Sequence, residues 1–290
     1  MVSRLAALGL VALTTLVIAA PSRSSQLVAR DARNLQLDVN WRGEALLTYE
    51  HAGSLRHVLL WGATGAGGRL QVDYTGGKER YHFAYWRRFA ATCGRYDGPH
   101  IAYLVAACKA PDRSYWAVQN LPPPSNHSWF EVSHWRGSLA KVQLGRAWAY
   151  DGRFQLIFGR MTYETQPAPA YVTTLNTFNS SFGPGWRLQD SFLTRRATGA
   201  FCYGLWPHRT NGAMFPGTGE KYRVALSGPG GTPMISVTLP GWHEFDPVSS
   251  WDALHQERAA TRLRSWGVTT ADRDCGPVLR MAAKIAGRSG

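Results

Sequence analysis

The sequence predicts a mainly β protein, an antiparallel sandwich or barrel-like set of sheets with a C-terminal helical segment. Three observations predict it. Short apolar, β-branched or aromatic runs recur along most of the chain. Turn residues separate them, drawn from 30 Gly and 16 Pro. From Asp246 onward the alternation gives way to helical spacing.

The elements follow in order. Arg4 precedes an uncharged run from Leu5 to Ala20, closed by Pro21 and Ser22. That run is shorter than the roughly 20 residues a spanning helix needs, so residues 1–22 read as a secretory signal peptide. Leu35, Leu37 and Val39 alternate with polar residues, Arg42-Gly43 interrupts, and Ala45 to Tyr49 resumes. Residues 34–50 therefore read as a hairpin. Val58 to Trp61, Leu70 to Tyr74, Ile101 to Ala107 and Tyr115 to Val118 continue a β segment over 30–120. The Pro-rich connection 121–127 cannot sit inside a ladder and is the candidate boundary. A second β segment over 128–240, in the same or another domain, holds Trp129 to Val132, Leu139 to Leu144, Phe154 to Phe158, Tyr171 to Leu175, Phe201 to Leu205, Tyr222 to Leu226 and Ile235 to Leu239. Trp41-Arg42-Gly43 and Trp135-Arg136-Gly137 raise the idea of a duplicated unit. In the helical segment 246–290, Asp246 reads as an N-cap with Pro247 behind it. Val248, Trp251, Leu254, Leu263 and Trp266 mark one helix, which Gly267 stops, and Val278 to Ile285 mark another.

Composition narrows the partners. Lys and Arg number 32 against 19 acids, a net charge of +13, and only 5 of the 32 are Lys. Arg pairs bidentately with carboxylate, phosphate or sulfate and stacks on aromatic faces. The expected partner is a polyanionic glycan or cell-wall polymer, ahead of nucleic acid, with membrane contact only through an uncleaved leader. Twelve Trp exclude a disordered basic tail. Four cysteines in an exported chain imply two disulfides. The expected pairing is Cys93–Cys108, closing a short loop, and Cys202–Cys275, tying the tail back. No spacing suits zinc or another metal, and no cofactor motif is present. Gly62, Gly65, Gly67 and Gly68 lack the Lys-Ser/Thr of a phosphate loop, and Leu70 starts a strand rather than a helix.

The candidate binding residues sit where aromatics and Arg interleave. Residues 81–89, if extended, would put Tyr81, Phe83, Tyr85, Arg87 and Phe89 on one face and His82, Trp86 and Arg88 on the other; if helical, they would simply pack. Trp86 and Arg88 are the candidates here. Trp186-Arg187 and Trp206-Pro-His208-Arg209 lie in Gly/Pro-rich surroundings and read as surface turns. The acids beside aromatics, Glu131, Asp151, Glu164, Glu244 and Asp246, are the candidates for catalysis. A glycosidase needs two such carboxyls about 5–10 Å apart, and these come from separate segments, so convergence is not expected.

Several motifs also carry a resemblance. Ala107-Cys108-Lys109-Ala110-Pro111-Asp112, Ser114 to Gln119, His134-Trp135-Arg136-Gly137, Phe158-Gly159-Arg160, Gly183-Pro184-Gly185-Trp186 and Phe201-Cys202-Tyr203-Gly204 make residues 90–230 resemble a family of secreted proteins from high-GC Gram-positive and related bacteria. That family has no assigned activity. The resemblance implies export and the cysteine pattern and transfers no catalytic residue. The reading is a secreted, cell-envelope-associated protein that binds an acidic glycan or wall polymer without catalysis. A secreted polysaccharide hydrolase using paired carboxylates and a structural envelope protein are the alternatives.

Overall fold

The computed structural model describes residues 25–64, 68–121, 128–169, 171–178, 186–191, 193–194, 197–207, 209–210, 213–214, 221–240 and 243–288. The expected signal segment 1–22 and the Pro-rich residues 122–127 lie outside them. The fold is mainly antiparallel β with C-terminal helices, as the sequence predicts.

The N-terminal part is a two-layer sandwich. Its strands are β1 (Gln26–Arg30), β2 (Arg33–Val39), β3 (Ala45–His51), β4 (Ser54–Gly62) and β5 (Leu70–Asp73). Then come a helical turn α1 (Lys78–Tyr81), a 3-10 turn (Tyr85–Arg88), and β6 (Leu104–Lys109), β7 (Tyr115–Leu121) and β8 (Trp129–Trp135). One sheet runs β1-β8-β7-β6 and the other β2-β3-β4-β5. Alternation decides the faces. Ala45, Leu47 and Tyr49 of β3 and Val58 and Leu60 of β4 meet Trp116, Val118, Phe130 and Val132 of β7 and β8 in one buried cluster. Each such side chain contributes roughly 1.5–3 kcal/mol of burial. Asn40 builds the β2–β3 turn, its Oδ1 accepting the N–H groups of Arg42 (2.9 Å) and Glu44 (3.0 Å). At the β3–β4 turn Ala52 and Gly53 have φ of 49° and 73°, the double left-handed turn that suits a twisted two-residue hairpin.

The C-terminal part has three layers. The middle sheet contains β9 (Lys141–Ala149), β10 (Phe154–Tyr163), β11 (Gln166–Ala168), β13 (Trp186–Ser191) and β14 (Ala200–Pro207). Against one face lies the sheet of β12 (Tyr171–Phe178), β17 (Lys221–Ser227) and β18 (Ile235–Pro240), with Ile157, Met161, Phe201 and Tyr203 packed on Val224, Leu226 and Leu239. A short ribbon pairs β15 (Arg209–Thr210) with β16 (Ala213–Met214). Against the other face lie α2 (Ser250–Ser265) and α3 (Gly276–Ala286). Leu156, Phe158, Ala200 and Cys202 meet Ala260, Leu263, Trp266, Val278 and Leu279 there. Both disulfides form as the sequence predicts: Cys93–Cys108 and Cys202–Cys275. The second fastens the helix layer to the middle sheet.

Four expectations need correction. The Pro-rich residues 121–127 do not divide two units, because β7 and β8 pair with each other across them, Leu121 opposite Trp129. The parts meet instead at Gln119, whose side chain bonds the N and O of Met234 (2.9 and 3.0 Å), and at Gly231. A Cβ on Gly231 would stand 2.1 Å from the His134 carbonyl, so only glycine fits. The two Trp-Arg-Gly turns share a left-handed Gly but differ in setting: Trp41 is 67% exposed in a hairpin and Trp135 is 1% exposed at the end of β8. The cap of α2 is Ser249, not Asp246. The Ser249 hydroxyl accepts Asp252 N–H, and Asp246 caps only its own turn through Val248 N–H. Finally, Trp186, Arg187 and Trp206 lie in strands rather than turns, with Arg187 opposite Trp206 in the β13–β14 register.

Candidate functional site

Residues 81–89 are not a strand. Gly76 and Gly77, with φ of 68° and 90°, turn the chain into α1 and the 3-10 turn, which lie over the outer face of the β2–β5 sheet. This folding brings the aromatic–Arg run onto a buried acid that its own sequence gives no hint of. Glu44, at 4% exposure, ends the β2–β3 turn. It accepts Asn40 Nδ2 (2.9 Å), the Tyr85 hydroxyl (3.2 Å) and the Tyr81 hydroxyl, and pairs with Arg80 Nε at 3.3 Å. Arg80 Nε also donates to the Tyr81 hydroxyl at 2.9 Å, the main cause holding its guanidinium above the ordinary range. Burial first, and Glu44 second, push the Tyr85 hydroxyl up. A buried charge needs this degree of pairing to persist.

Around Glu44 the rings and cations interleave. Arg80 lies over Trp61 at 4.2 Å and Tyr81 at 5.2 Å. Arg42 lies over Trp41 at 5.0 Å and Tyr81 at 5.6 Å, and Arg87 over Trp86 at 5.0 Å. Trp86 stacks on His57 at 4.0 Å with planes 10° apart. Burial lowers the His57 pKa, which keeps this ring neutral at pH 7. Of the three stacked Arg, only Arg80 forms an ion pair among the described residues.

Of the expected binding residues, Trp86 is in this patch and Arg88 is exposed beside it, while its neighbour Arg87 makes the stack. Trp186, Arg187, Trp206 and Arg209 belong to β13, β14 and β15, in other sheets, and His208 lies outside the described residues. Sequence reasoning missed Glu44, Arg42, Arg80, Trp41 and Trp61. Only Trp41-Arg42 had been singled out, as a turn.

The five candidate acids fall in four separate places, with only Glu244 and Asp246 sharing a segment. Glu131, on β8, accepts the Ser25 hydroxyl. Asp151, in the β9–β10 turn, is paired with Lys284 of α3. Glu164 is in the β10–β11 turn, and Glu244 and Asp246 are exposed before α2. In the first turn of α2, Asp252 bonds His243 Nε2 at 2.9 Å.

One trio, with its Ser and His buried and its Asp exposed, has the composition of a hydrolase triad and a different geometry. His134 Nε2 meets Ser114 Oγ at 2.8 Å, and Ser114 Oγ meets Asp112 Oδ1 at 2.6 Å. Asp112 thus holds the serine, whereas a triad acid holds the far imidazole nitrogen. That nitrogen, Nδ1, bonds the Gly62 carbonyl. Ser114 and His134 are 0% and 3% exposed, and His134 stacks on Trp116 at 3.9 Å inside the sandwich. The serine is fully buried, and the trio ties the β6–β7 turn to β8 and, through the Gly62 carbonyl, to the end of β4. Among the described residues no cluster of His, Cys, Asp and Glu suits a metal, and no helix is long and apolar enough to cross a membrane.

No family model matches the chain, and no curated protein or solved structure matches it significantly. Two disulfides fit an oxidising compartment.

Proposed function

We propose that the protein is exported and binds an acidic glycan or cell-wall polymer through the patch built on Glu44. The observation that carries the reading is the ladder of Arg42, Arg80 and Arg87 on Trp41, Tyr81, Trp61 and Trp86. Each guanidinium is held over a ring, so its fork is presented to an anion with less rotamer entropy to lose. The rings give sugar units an apolar surface beside the cations. Glu44 offsets Arg80 from beneath, while Arg42 and Arg87 supply the charge that meets the ligand. The net charge of +13 draws a polyanion to the surface. Binding requires no turnover here, and the spread of the five acids over four separate places agrees with that.

The test is affinity for a sulfated glycan of the heparin type and for a teichoic-acid polymer at low ionic strength. Arg42→Gln with Arg87→Gln should weaken both about tenfold or more, and Trp86→Ala should weaken them as well. Equal affinity in the wild type and the double variant overturns the assignment.

A further inference from the structure

The helix layer carries a second constellation, separate from the Arg patch. Asp252 is 2% exposed at the start of α2, where Ser249 caps its N–H. Its Oδ2 accepts Asp246 N–H at 2.8 Å, and its two oxygens face His243 Nε2 at 2.9 and 3.1 Å. A carboxylate only accepts, so Nε2 donates to Asp252 and Nδ1 is the ring nitrogen left to meet a ligand. The His243 side chain is 47% exposed. Its main chain is fixed as well, since buried Trp148 donates Nε1–H to the His243 carbonyl at 2.9 Å. Beside it, Trp251 is 52% exposed with its ring centroid 6.0 Å from His243. His255, one turn further along α2, stacks behind Trp251 at 4.9 Å with planes 14° apart. Burial first, then Arg146, holds His255 below its usual pKa, so this backing ring is neutral at pH 7.

An exposed Trp backed on one face, with an oriented imidazole 6.0 Å away between ring centroids, is a built site for a flat, hydroxyl-bearing ring. We infer that Trp251 and His243 form a binding site for a neutral pyranose. The sugar's C–H face would lie on the open side of Trp251, and a ring hydroxyl would meet His243 Nδ1. Asp252 serves as a positioning residue that orients the imidazole. The local charge selects against an anion: Glu244 and Asp246 are exposed acids on the same loop. A nucleobase could use the same ring face, but its phosphates would meet those acids. The site does not depend on the Arg patch.

The experiment uses the mature chain and three neutral hexasaccharides, of glucose, N-acetylglucosamine and mannose, read by calorimetry and Trp fluorescence. At least one should bind, with affinity unchanged between low and high salt. Trp251→Ala should weaken it about tenfold, the scale of one lost ring stack. Trp251→Phe should restore part of the loss, and His243→Ala should weaken binding while His243→Gln, which keeps an acceptor, weakens it less. The Arg42→Gln, Arg87→Gln variant should bind as the wild type does. Failure of all three sugars, binding indifferent to Trp251→Ala, or a steep salt dependence overturns the site. So does preference for a single-stranded oligonucleotide that Trp251→Ala abolishes.

Discussion

His134 shows how one buried side chain ties a sheet pair to pH. Burial drives its pKa from 6.5 to about 4, against the opposing pull of the Gly62 carbonyl and Asp112. The unfolded chain takes up a proton near pH 6.5 that the folded chain refuses until about pH 4. The stabilisation is therefore complete above pH 6.5 and is lost as the pH falls toward 4. The loss should be roughly 3 kcal/mol. Denaturant titrations at several pH values should show it, and His134→Asn should flatten the slope between those limits. Stability that rises on acidification of the wild type would contradict the assignment. His134 was legible in the sequence only as part of a motif. Its partners Gly62, Ser114 and Trp116 come from two other segments, and no local spacing announces them. Glu44 is the same case: the aromatics of 81–89 were legible, but the acid beneath them lies in a hairpin turn far along the chain. His243 and Asp252 are separated by an irregular loop, so their pairing has no period to detect.

At the element scale, most of the strands were legible because one face of each is buried and alternation follows. β1 was missed, since its pairing with β8 supplies what its short run lacks. β13 was missed because Gly and Pro precede it and only its partner β14 makes it a strand. The apolar stripe expected for α2 is buried only at its C-terminal end. Leu263 and Trp266 are buried, but Val248, Trp251 and Leu254 are exposed, and Asp252, Gln256, Ala259 and Ala260 are buried in their stead. The reason is a polar contact that hydropathy cannot register. Gln256 accepts Trp148 N–H at 2.8 Å and donates to the Trp148 carbonyl at 2.7 Å and to Val278 O at 3.0 Å. It thereby satisfies backbone groups of β9 and joins α3 to the same point. Gln256→Leu leaves these groups buried and unpaired, at a cost of about 1–3 kcal/mol for each orphaned group. The expected outcome is a large drop in the denaturation midpoint with the strand content retained at low denaturant. A change within a few tenths of a kcal/mol would show that the contact is dispensable.

At the scale of the whole molecule, the disulfides divide the work unequally. Cys93–Cys108 spans 15 residues and Cys202–Cys275 spans 73. The chain-entropy argument gives about 3 kcal/mol for the first and about 4–5 kcal/mol for the second. Replacing Cys202 and Cys275 together with Ser should lower stability more than replacing Cys93 and Cys108, because the helix layer is also released from the middle sheet. The reverse order would contradict the layered account. The central claim concerns the surface rather than the core: that Arg42 and Arg87, held on their rings, are the cations a polyanion meets. Counterion release makes that countable, since each Arg contact contributes about one unit to the slope of log affinity against log salt. The decisive measurement is that slope for the heparin-type glycan, in the wild type and in the Arg42→Gln, Arg87→Gln variant. The account predicts a steep wild-type slope that shallows by about two units in the variant. A flat wild-type slope, or one that the double substitution leaves unchanged, would contradict it.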